Sequence, residues 1–502
     1  PPACSRERPG IRGDLKVDFL QSVKDKGLTM RRFSAAIVAL ALVASLPGHS
    51  MAQTTNGKIE SAEQDKILPG WLKISGEARV RYESLDGQFR AGGRGGDQAL
   101  AFRTLILAEA KFDPVTFGLE LQDSRKELND SGSTLSASLV NPLDVLQAYA
   151  SFDLSETGFA TALNQDKARL KLGRQTLDIG GRRILERADM ANVLLNFTGA
   201  YWQSSNARGD AWNVVAVVPV GRLPQDRASL EKNEMQADRE EWSRLLLGVH
   251  YRRANLLGDL LPETSGELFV FRLKEHDTVR TNTPNRDYLQ PGFRVFRPPQ
   301  KSQWDFELDT SWRTGTRRAS AVVTDTIDLK VRAFAAHAHI GYTFDLPWQP
   351  RVGIDWDFAS GDRNPNDLNF DQAERLFGGR RTDLGNTGIH GPLTPANINA
   401  AGGRIEVRPN ARSDLRLAFK HAHLDEARDA WVVARVQDRT GQSGTFIGTT
   451  IDGRARYWLQ PNKLRLEIGA SALIPGRFAR TAPNASRQGT THYGYMALTR
   501  VF

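Results

Sequence analysis

Charged and apolar residues alternate one by one along much of this chain. In the segment 76–83 the odd-numbered residues are charged and the even-numbered residues are mostly apolar. The segments 351–358 and 463–468 repeat the pattern, each with one apolar and one largely charged set. A period of two places successive side chains on opposite faces of a β-strand. The sequence therefore predicts strands that have one face in an apolar environment and the other in water.

Two kinds of β protein have such strands. A soluble sandwich turns its apolar faces inward, whereas a transmembrane barrel turns them outward to lipid. The apolar faces here often carry an aromatic residue at a strand end, such as Tyr82, Phe112, Phe152 or Phe358, as an interfacial girdle would. The opposite faces carry several charges per strand, as a wet lumen requires. We therefore favour a barrel, and a soluble periplasmic β protein stays the alternative.

A membrane-spanning chain without long apolar helices must form a closed barrel, because lipid leaves open sheet edges unpaired. After residue 52 no stretch approaches the ~20 apolar residues that a spanning helix needs. Roughly 450 residues, at about 25 for each strand and its connection, predict an all-β, transmembrane antiparallel β-barrel of about 18 strands.

The first 52 residues have the features of a targeting segment. Two arginines follow Met30, residues 35–46 are apolar, and residues 50–52 form a small-x-small cleavage site. The apolar run is too short to span a bilayer. The predicted organisation is an upstream translated segment at 1–29, a signal peptide at 30–52, and an outer-membrane barrel at 53–502.

Composition excludes several classes of function. The only cysteine, Cys4, precedes Met30, so the mature chain has no disulfide and no cysteine nucleophile. Lys and Arg number 67 against 58 Asp and Glu, and the two signs are interleaved, which argues against a nucleic-acid partner. Neither a Gly-x-Ser-x-Gly nor a His-Glu-x-x-His motif occurs. We expect no enzyme and no cofactor; a barrel enzyme with a site assembled across strands is a less favoured alternative.

Two patterns raise the question of a metal site. Residues 362–367 (DRNPND) resemble the start of a calcium loop, but Asp367 stands in place of the glycine and Ala373 in place of the bidentate glutamate. A turn rich in Asn, Asp and Pro is the favoured interpretation. The pairs His337/His339 and His421/His423 could hold zinc only if their strands were close. We predict that they line the wall and that no metal is bound.

Three segments carry a resemblance to a known family. They are Leu72–Glu77 (LKISGE), Leu170–Gln175 (LKLGRQ) with Leu177, and Ala359–Asp367 (ASGDRNPND) with the following Phe370-Asp371-Gln372. On these motifs the chain resembles the alginate-export outer-membrane porin family. The resemblance implies a monomeric 18-stranded barrel whose arginine-lined constriction passes an anionic polyuronate.

The resemblance also implies which cations line the constriction. Lys73, Arg103 and Arg465 match basic positions of the family pattern, whereas Leu146 and Thr176 stand where the family has further cations. Arg174, Arg182 and Arg183 are close enough in sequence to compensate. An alternative role for these arginines is ion pairing with lumen carboxylates. The predicted substrate-binding residues are Lys73, Arg103, Arg174, Arg182, Arg183 and Arg465.

The predicted function is an outer-membrane channel for anionic carbohydrate such as alginate or a related polyuronate. The alternative is an uptake porin, general or substrate-specific, for small organic anions or oligosaccharides. Expected partners are an anionic poly- or oligosaccharide, outer-membrane lipid and, for an exporter, a periplasmic helical-repeat protein. The expected location is the bacterial outer membrane.

Overall fold

A computed structural model describes residues 68–130 and 133–502. The predicted segment 1–29 and the predicted signal peptide 30–52 lie outside the described residues.

Eighteen strands of the described chain pair antiparallel with their neighbours, and the last, β20, pairs back onto the first, β1, to close a barrel. This confirms the prediction of an all-β antiparallel barrel of about 18 strands. The barrel strands are β1 (Leu72–Asp86), β2 (Asp97–Phe112), β3 (Val115–Glu127), β4 (Asn141–Asp153), β5 (Lys167–Gln175), β6 (Phe197–Ser205), β7 (Ala211–Gly221), β9 (Arg244–Arg253), β10 (Ser265–Glu275), β11 (Asp287–Arg297), β12 (Gln303–Arg317), β13 (Leu329–Thr343), β14 (Arg351–Ala359), β16 (Ile398–Asn410), β17 (Ser413–His423), β18 (Phe446–Gln460), β19 (Leu464–Pro475) and β20 (Thr491–Val501).

Short elements occupy the connections. Two strands of two residues, β8 (Arg239–Glu240) and β15 (Asn369–Phe370), pair with β7 and β13. The helices are α1 (Gly158–Ala162), α2 (Arg227–Glu231), a 3-10 turn (Gly258–Leu260), α3 (Arg381–Leu384) and α4 (Arg477–Thr481). Within the described residues, no helix is long and apolar enough to cross a membrane.

The lengths of the connections orient the barrel. Turns such as 113–114 and 461–463 are short, whereas the connections 176–196, 360–397 and 424–445 are long. Outer-membrane barrels place short turns on the periplasmic side and long loops outside the cell. The strand β1 therefore begins, and β20 ends, on the periplasmic side.

The outward face of the wall is apolar and bordered by aromatic rings. On β12 the exposed Trp304 and Trp312 are eight residues apart and contact rings of β13, with centroids 5.1 Å from Tyr342 and 5.4 Å from Phe334. At ~3.4 Å per residue and the usual strand tilt, the two aromatic rows are about 20 Å apart in height. That spacing fits the apolar band of an outer membrane, with Phe334 and Trp312 in its extracellular girdle.

Two long loops fold back into the lumen and pack against each other. The backbone N–H of Glu186 in loop 176–196 donates to Phe377 O at 3.1 Å, and Gly379 N–H in loop 360–397 donates to Arg182 O at 2.7 Å. Apolar side chains of the wall and both loops share a buried cluster: Leu177, Ile179, Leu185, Phe197, Val215, Val217, Leu246, Phe269 and Phe271, with Phe377 against it. This cluster therefore lies inside the barrel, and a larger buried cluster that includes Trp431, Val436 and Phe478 is formed with the extracellular connections.

The outward apolar face predicts where a charge is least tolerated. Ile354 faces outward from the middle of β14 and is 65% exposed. Replacing it by Arg (Ile354→Arg) places a charge near the middle of the lipid and is expected to lower the free energy of unfolding by about 2–4 kcal/mol. Ser84→Arg, an outward change near the extracellular end of β1, is expected to cost about 0–1 kcal/mol. Urea titration of both variants in lipid vesicles measures the difference, and equal costs would contradict the assigned lipid face.

Candidate functional site

Arg103 and Arg79 tie loop 176–196 to the wall. Arg103 on β2 pairs with Glu77 of β1, and its guanidinium donates to the carbonyl oxygens of Asp189 and Ala191 at 2.9 and 2.8 Å. Arg79 donates to the same two carbonyls, at 2.8 Å each. Both guanidiniums are buried, with Arg103 only 3% exposed. The donors of Arg103 are therefore used in holding the loop rather than presented to open lumen.

Arg174 also lies in an ion network. Its guanidinium donates to the carbonyl of Val145 at 2.9 Å and pairs with Asp144 and Glu240 at 3.4 and 2.7 Å. Its neighbour Lys171 places its ammonium over the ring of Tyr149, 4.0 Å from the centroid, on the lumen face. Strand alternation puts Arg174 on the opposite face to Lys171, where β8 covers it through Glu240.

The adjacent arginines Arg182 and Arg183 have different surroundings. Arg182 is 49% exposed and pairs loosely with Asp178 and Asp189, at 3.6 and 3.4 Å. Arg183 bridges three carboxylates: Asp383 of loop 360–397 at 2.9 Å, Glu307 of β12, and Asp309 at 3.3 Å. Burial alone would lower the pKa of the Arg183 guanidinium, but these carboxylates hold it well above its usual range. Arg183 thus joins both inward loops to the wall.

The charges of Lys73 and Arg465 are less involved in ion pairs than those of the other predicted cations. Both face the lumen near the periplasmic ends of β1 and β19, and Lys73 is exposed. Neither forms a direct ion pair with a carboxylate of the described residues. The Arg465 guanidinium lies over the Trp458 ring, 5.5 Å from its centroid, and its Nε has no hydrogen-bond partner among the residues that the structure describes.

Three arginines that the sequence analysis did not single out lie beside Arg465. Arg416 is on the lumen face of β17, and Arg454 and Arg456 are on the lumen face of β18. Asp414 pairs with Arg454 and Arg456 at 3.2 and 2.9 Å. The set Lys73, Arg416, Arg454, Arg456 and Arg465 is called the basic stripe below.

The basic stripe contains a close pair of like charges. Arg416 and Arg454 are direct partners in the β17–β18 register, so their Cβ atoms are about 4.5–5.5 Å apart. Arg416 donates to the Thr382 carbonyl at 3.0 Å and forms no direct ion pair within the described chain. Together with Arg381, the two guanidiniums line a small cavity that also contacts Asp452. Like charges opposite each other destabilise a sheet, whereas a bound anion would stabilise this pair.

The structure thus separates the predicted cations into two groups. Lys73 and Arg465 lie with the basic stripe on the β17–β19 and β1 side, while Arg103, Arg174 and Arg183 are held in ion networks with acids and loop carbonyls. Arg182 is exposed on loop 176–196. A period-two Arg-Ala-Arg run at 454–456, opposite Asp414 and Arg416, was the signal in the sequence for the missed residues. Substrate binding by the predicted residues stays a prediction.

The two positions without the family's cations have specific roles here. Leu146 packs with Leu105 of β2 and Leu194 of loop 176–196 in a buried cluster. Thr176 accepts a hydrogen bond at 2.9 Å from the guanidinium of Arg187, which also pairs with Glu120. A cation from the loop therefore stands beside Thr176, and an apolar contact replaces the cation at Leu146.

One group of side chains has the spacing of a metal site. Ligand atoms of His337, Asp357 and Asp383 all lie within 4.8 Å of one another. His337 Nδ1 is 2.8 Å from Asp357 Oδ1, while Lys420 pairs with Asp357 and Arg183 with Asp383. Each carboxylate already has a permanent cation, so these residues fit a structural ion network rather than a divalent metal.

The two histidine pairs lie on opposite faces of the wall. His337 and His339 face the lumen, whereas His421 and His423 face outward and contact Phe446, with ring centroids 4.7 and 4.9 Å away. The pairs therefore cannot share an ion.

The acidic segment 362–367 forms consecutive turns. Asp362 Oδ1 accepts from Asn364 N–H at 3.2 Å, and Asn364 Oδ1 accepts from Asn366 N–H at 3.4 Å. Such side-chain to backbone bonds are the reason for the turn preference of Asn and Asp. Burial and the nearby Asp429 raise the pKa of Asp362 to about 6, and burial also raises the pKa of Asp429.

Comparisons with known proteins agree with this architecture. A family model described as alginate export matches residues 70–492. Among solved structures, Pseudomonas aeruginosa OccK9 (OpdG) has 13% identity and a TM-score of 0.53, covering 86% of this chain and 98% of that one. A BenF-like porin from Pseudomonas fluorescens Pf-5 has 11% identity and a TM-score of 0.53, covering 86% and 100%. Pseudomonas aeruginosa OpdK with vanillate has 12% identity and a TM-score of 0.52, covering 86% and 98%. No curated protein sequence matches the chain.

The adjacent arginines of loop 176–196 provide a matched pair of substitutions. Arg183→Ala removes the arginine that pairs with Asp309 and Asp383, whereas Glu307 keeps Arg294. It is expected to release the two inward loops from the wall, because an uncompensated buried charge costs about 3–5 kcal/mol. Arg182→Ala removes the same charge from an exposed position, where an ion pair contributes about 0–1 kcal/mol. Single-channel recording should show longer or more frequent open periods in the Arg183 variant alone. Identical traces for the two variants would contradict the role of Arg183 as the link.

The raised pKa values of Asp362 and Asp429 make the packing of their loops pH-dependent. A carboxyl whose pKa is raised by folding favours the folded loops below its unfolded pKa of ~3.9, and this contribution is lost as the pH rises through the folded pKa, about 6 for Asp362. Proteolysis of loops 360–397 and 424–445 should therefore become faster between pH 4 and pH 7 for a protease of constant activity. Asp362→Asn should flatten this dependence, and the exposed Asp345→Asn should leave it unchanged. Faster cleavage at the acidic end would contradict the assignment.

Proposed function

The chain belongs to the alginate export family, and from this membership we propose that it is an outer-membrane channel for anionic carbohydrate, such as alginate or a related polyuronate. The barrel with its apolar outer face supplies the path across the membrane. We propose that solute passes by diffusion without chemical turnover.

The observation that carries this proposal is the like-charge pair of the basic stripe. Arg416 and Arg454 oppose each other on the lumen face, and among the described residues only Asp414 pairs with the arginines of β18. Like charges directly opposite each other destabilise a sheet, so the presence of this pair on the lumen face supports a role in binding a mobile anion.

Arginine suits a polyuronate. Its guanidinium pairs with a carboxylate through two parallel hydrogen bonds and stays charged at every physiological pH. The basic stripe places Arg416, Arg454, Arg456 and Arg465 along one wall, so that carboxylates on successive sugars could be exchanged from one guanidinium to the next. In a narrow lumen with low-dielectric walls, such charges also raise the local concentration of anions.

The remaining predicted cations serve this channel indirectly. Arg103 and Arg183 hold loops 176–196 and 360–397 against the wall through carbonyls and carboxylates. These loops fill the extracellular half of the lumen, and loop 360–397 extends as far as Arg416 of the basic stripe through the Thr382 carbonyl, so their position decides how wide the passage is. In this proposal the basic stripe binds the solute and the ion networks set the aperture.

A second candidate function, uptake of small organic anions or oligosaccharides, is favoured by the packing of the two loops. They share a buried apolar cluster with the wall, which leaves little room for a polymer in the extracellular half. The solved structure of OpdK, with a similar fold, contains vanillate, an aromatic acid. The direction of transport depends on the solute gradient and on any periplasmic partner. A periplasmic helical-repeat partner is part of the export proposal, and both proposals include a monomeric barrel.

Charge substitution in the basic stripe tests the proposal. Arg416→Gln and Arg454→Gln should each lower the preference for anions over cations by a factor of roughly two to five, because one lumen charge acts over several ångströms at an effective dielectric constant near 20. Arg125→Gln removes the same charge from the outer face, where Arg125 pairs with Asp123, and should leave selectivity unchanged. Reversal potentials in a salt gradient measure all three. Cation preference in the unsubstituted channel would contradict the proposal.

The two candidate functions predict that different solutes block the channel. Block by polyuronate, weakened in the Arg416 and Arg454 variants, supports passage of the polymer. Block by small aromatic acids or oligosaccharides, without any effect of polyuronate, supports uptake instead. Cleavage of any of these solutes by the purified protein would contradict a channel without turnover.

A further inference from the structure

Four basic side chains project from the outer face of the barrel, away from the lumen. They lie near the extracellular ends of two strands that are three positions apart in the sheet, and all four are exposed. The outward face otherwise meets lipid, where an isolated cation is destabilising. The outward basic surface consists of Arg272 and Lys274 on β10 and Lys330 and Arg332 on β13.

The strand register arranges these residues at the corners of a compact patch. Arg272 is linked through Leu289 and Thr314 to Arg332, and Lys274 is linked through Asp287 and Thr316 to Lys330. Adjacent strands are ~4.8 Å apart and alternate residues of one strand ~7 Å apart. The two basic edges are therefore separated by about 14 Å across β11 and β12. Between them, Thr314 and Thr316 present exposed hydroxyl groups.

The aromatic girdle gives the depth of this patch in the membrane. On β12, Thr314 and Thr316 follow Trp312 toward the extracellular end, and on β13, Lys330 and Arg332 precede Phe334 at the same end. The rings of Trp312 and Phe334 are in contact, with centroids 5.4 Å apart. Aromatic rings of a girdle sit at the boundary between acyl chains and headgroups. The basic side chains beyond them therefore lie at headgroup depth in the outer leaflet.

The charge of the patch is not neutralised by its own acids. Asp287 binds the Arg272 guanidinium through both carboxylate oxygens, each at 3.0 Å. Asp371 is close enough to Arg332 to interact with it electrostatically. Lys274, Lys330 and Arg332 form no direct ion pair within the described residues. The four cations outnumber these carboxylates even when Asp328, two residues before Lys330, is counted, so the patch keeps a net positive charge on a surface that contacts lipid.

We propose that the outward basic surface binds the phosphorylated headgroup of a glycolipid in the outer leaflet, of the kind that carries phosphate at both ends of a disaccharide. The two basic edges receive the two phosphates, and the threonine hydroxyl groups between them donate to the sugar or phosphate oxygens. Hydrogen bonds from Lys and Arg to phosphate are charge-assisted and short. Arg125, an outward arginine on β3, lacks such a role because it pairs with Asp123 at 3.0 Å and its register partner on β2 is Phe102 rather than a second cation.

This surface is independent of the transported solute, because its side chains point away from the lumen. A bound glycolipid would be a fixed neighbour of β10–β13 rather than one of the exchanging lipids. It would also cover the extracellular ends of β11 and β12, which otherwise expose Leu289 and two threonines at the height of the headgroups.

Titration of the delipidated full-length barrel with a bisphosphorylated disaccharide lipid in detergent tests the proposal. Binding is expected to weaken by about fivefold for each cation removed, and thus by about 25-fold in the double variant Lys330→Gln/Arg332→Gln. Lys274→Gln should weaken binding by about fivefold. Arg125→Gln is the matched control on the same outer face and should bind as the unsubstituted protein does. Unchanged ion conductance in each variant confirms that the barrel is folded.

A second test of the proposal varies the chemistry of the lipid. The dephosphorylated lipid should bind at least tenfold more weakly than the phosphorylated one, and inorganic phosphate at the same concentration should not compete. Equal binding of the dephosphorylated lipid, displacement by inorganic phosphate, or undiminished binding in the double variant would each overturn the proposal. Glycolipid retained by protein extracted from outer membranes, counted by native mass spectrometry, should fall in the double variant alone.

Discussion

The closure of the sheet, in which β20 bonds to β1, is the constraint on which the rest of this structure depends. Lipid offers no partner to a backbone N–H or C=O, so every polar group of the wall must find its partner within the ring of strands. Once the ring is closed, strand alternation determines which side chains face lipid and which face the lumen. One set of side chains meets lipid and must be apolar where it meets the acyl chains, and the other meets the lumen and can be charged.

Enclosure changes what those lumen charges do. In the extracellular half, where loops 176–196 and 360–397 exclude water, arginines such as Arg79, Arg81 and Arg183 are matched by carboxylates or carbonyls. Glu83, for example, pairs with Arg81 and accepts from Ile389 N–H and from the Tyr493 hydroxyl, both at 2.8 Å. In the periplasmic half, where the lumen is solvated, Arg416 and Lys73 stay without a carboxylate partner in the described chain. Burial thus divides one charged surface into a part that fixes the loops and a part that can bind solute.

The fold was accessible from the sequence because alternation is a local property. The segment 76–83 reveals its two faces within eight residues, and the strand number follows from chain length. The candidate site was not accessible in the same way. Arg103 looks like a pore cation in sequence, but its partners Asp189 and Ala191 are 86 and 88 residues away, and only the folded loop brings them to it. The pairing of Arg416 with Arg454 likewise depends on the β17–β18 register, which no single strand encodes. Family resemblance identified Lys73 and Arg465 but could not say which cations a loop would cover.

The contact of Leu146 with Leu105 and Leu194 has a consequence for the environments this channel can serve. Attraction between exposed charges decays as salt is added, whereas apolar contacts are not weakened by simple screening. By fastening one point of loop 176–196 with three leucines where the family pattern has a cation, the chain gains an anchor whose strength does not depend on ionic strength. A bacterium that moves between dilute water and brine meets large swings in external salt at this surface. The width of its channel at that point would stay the same in both.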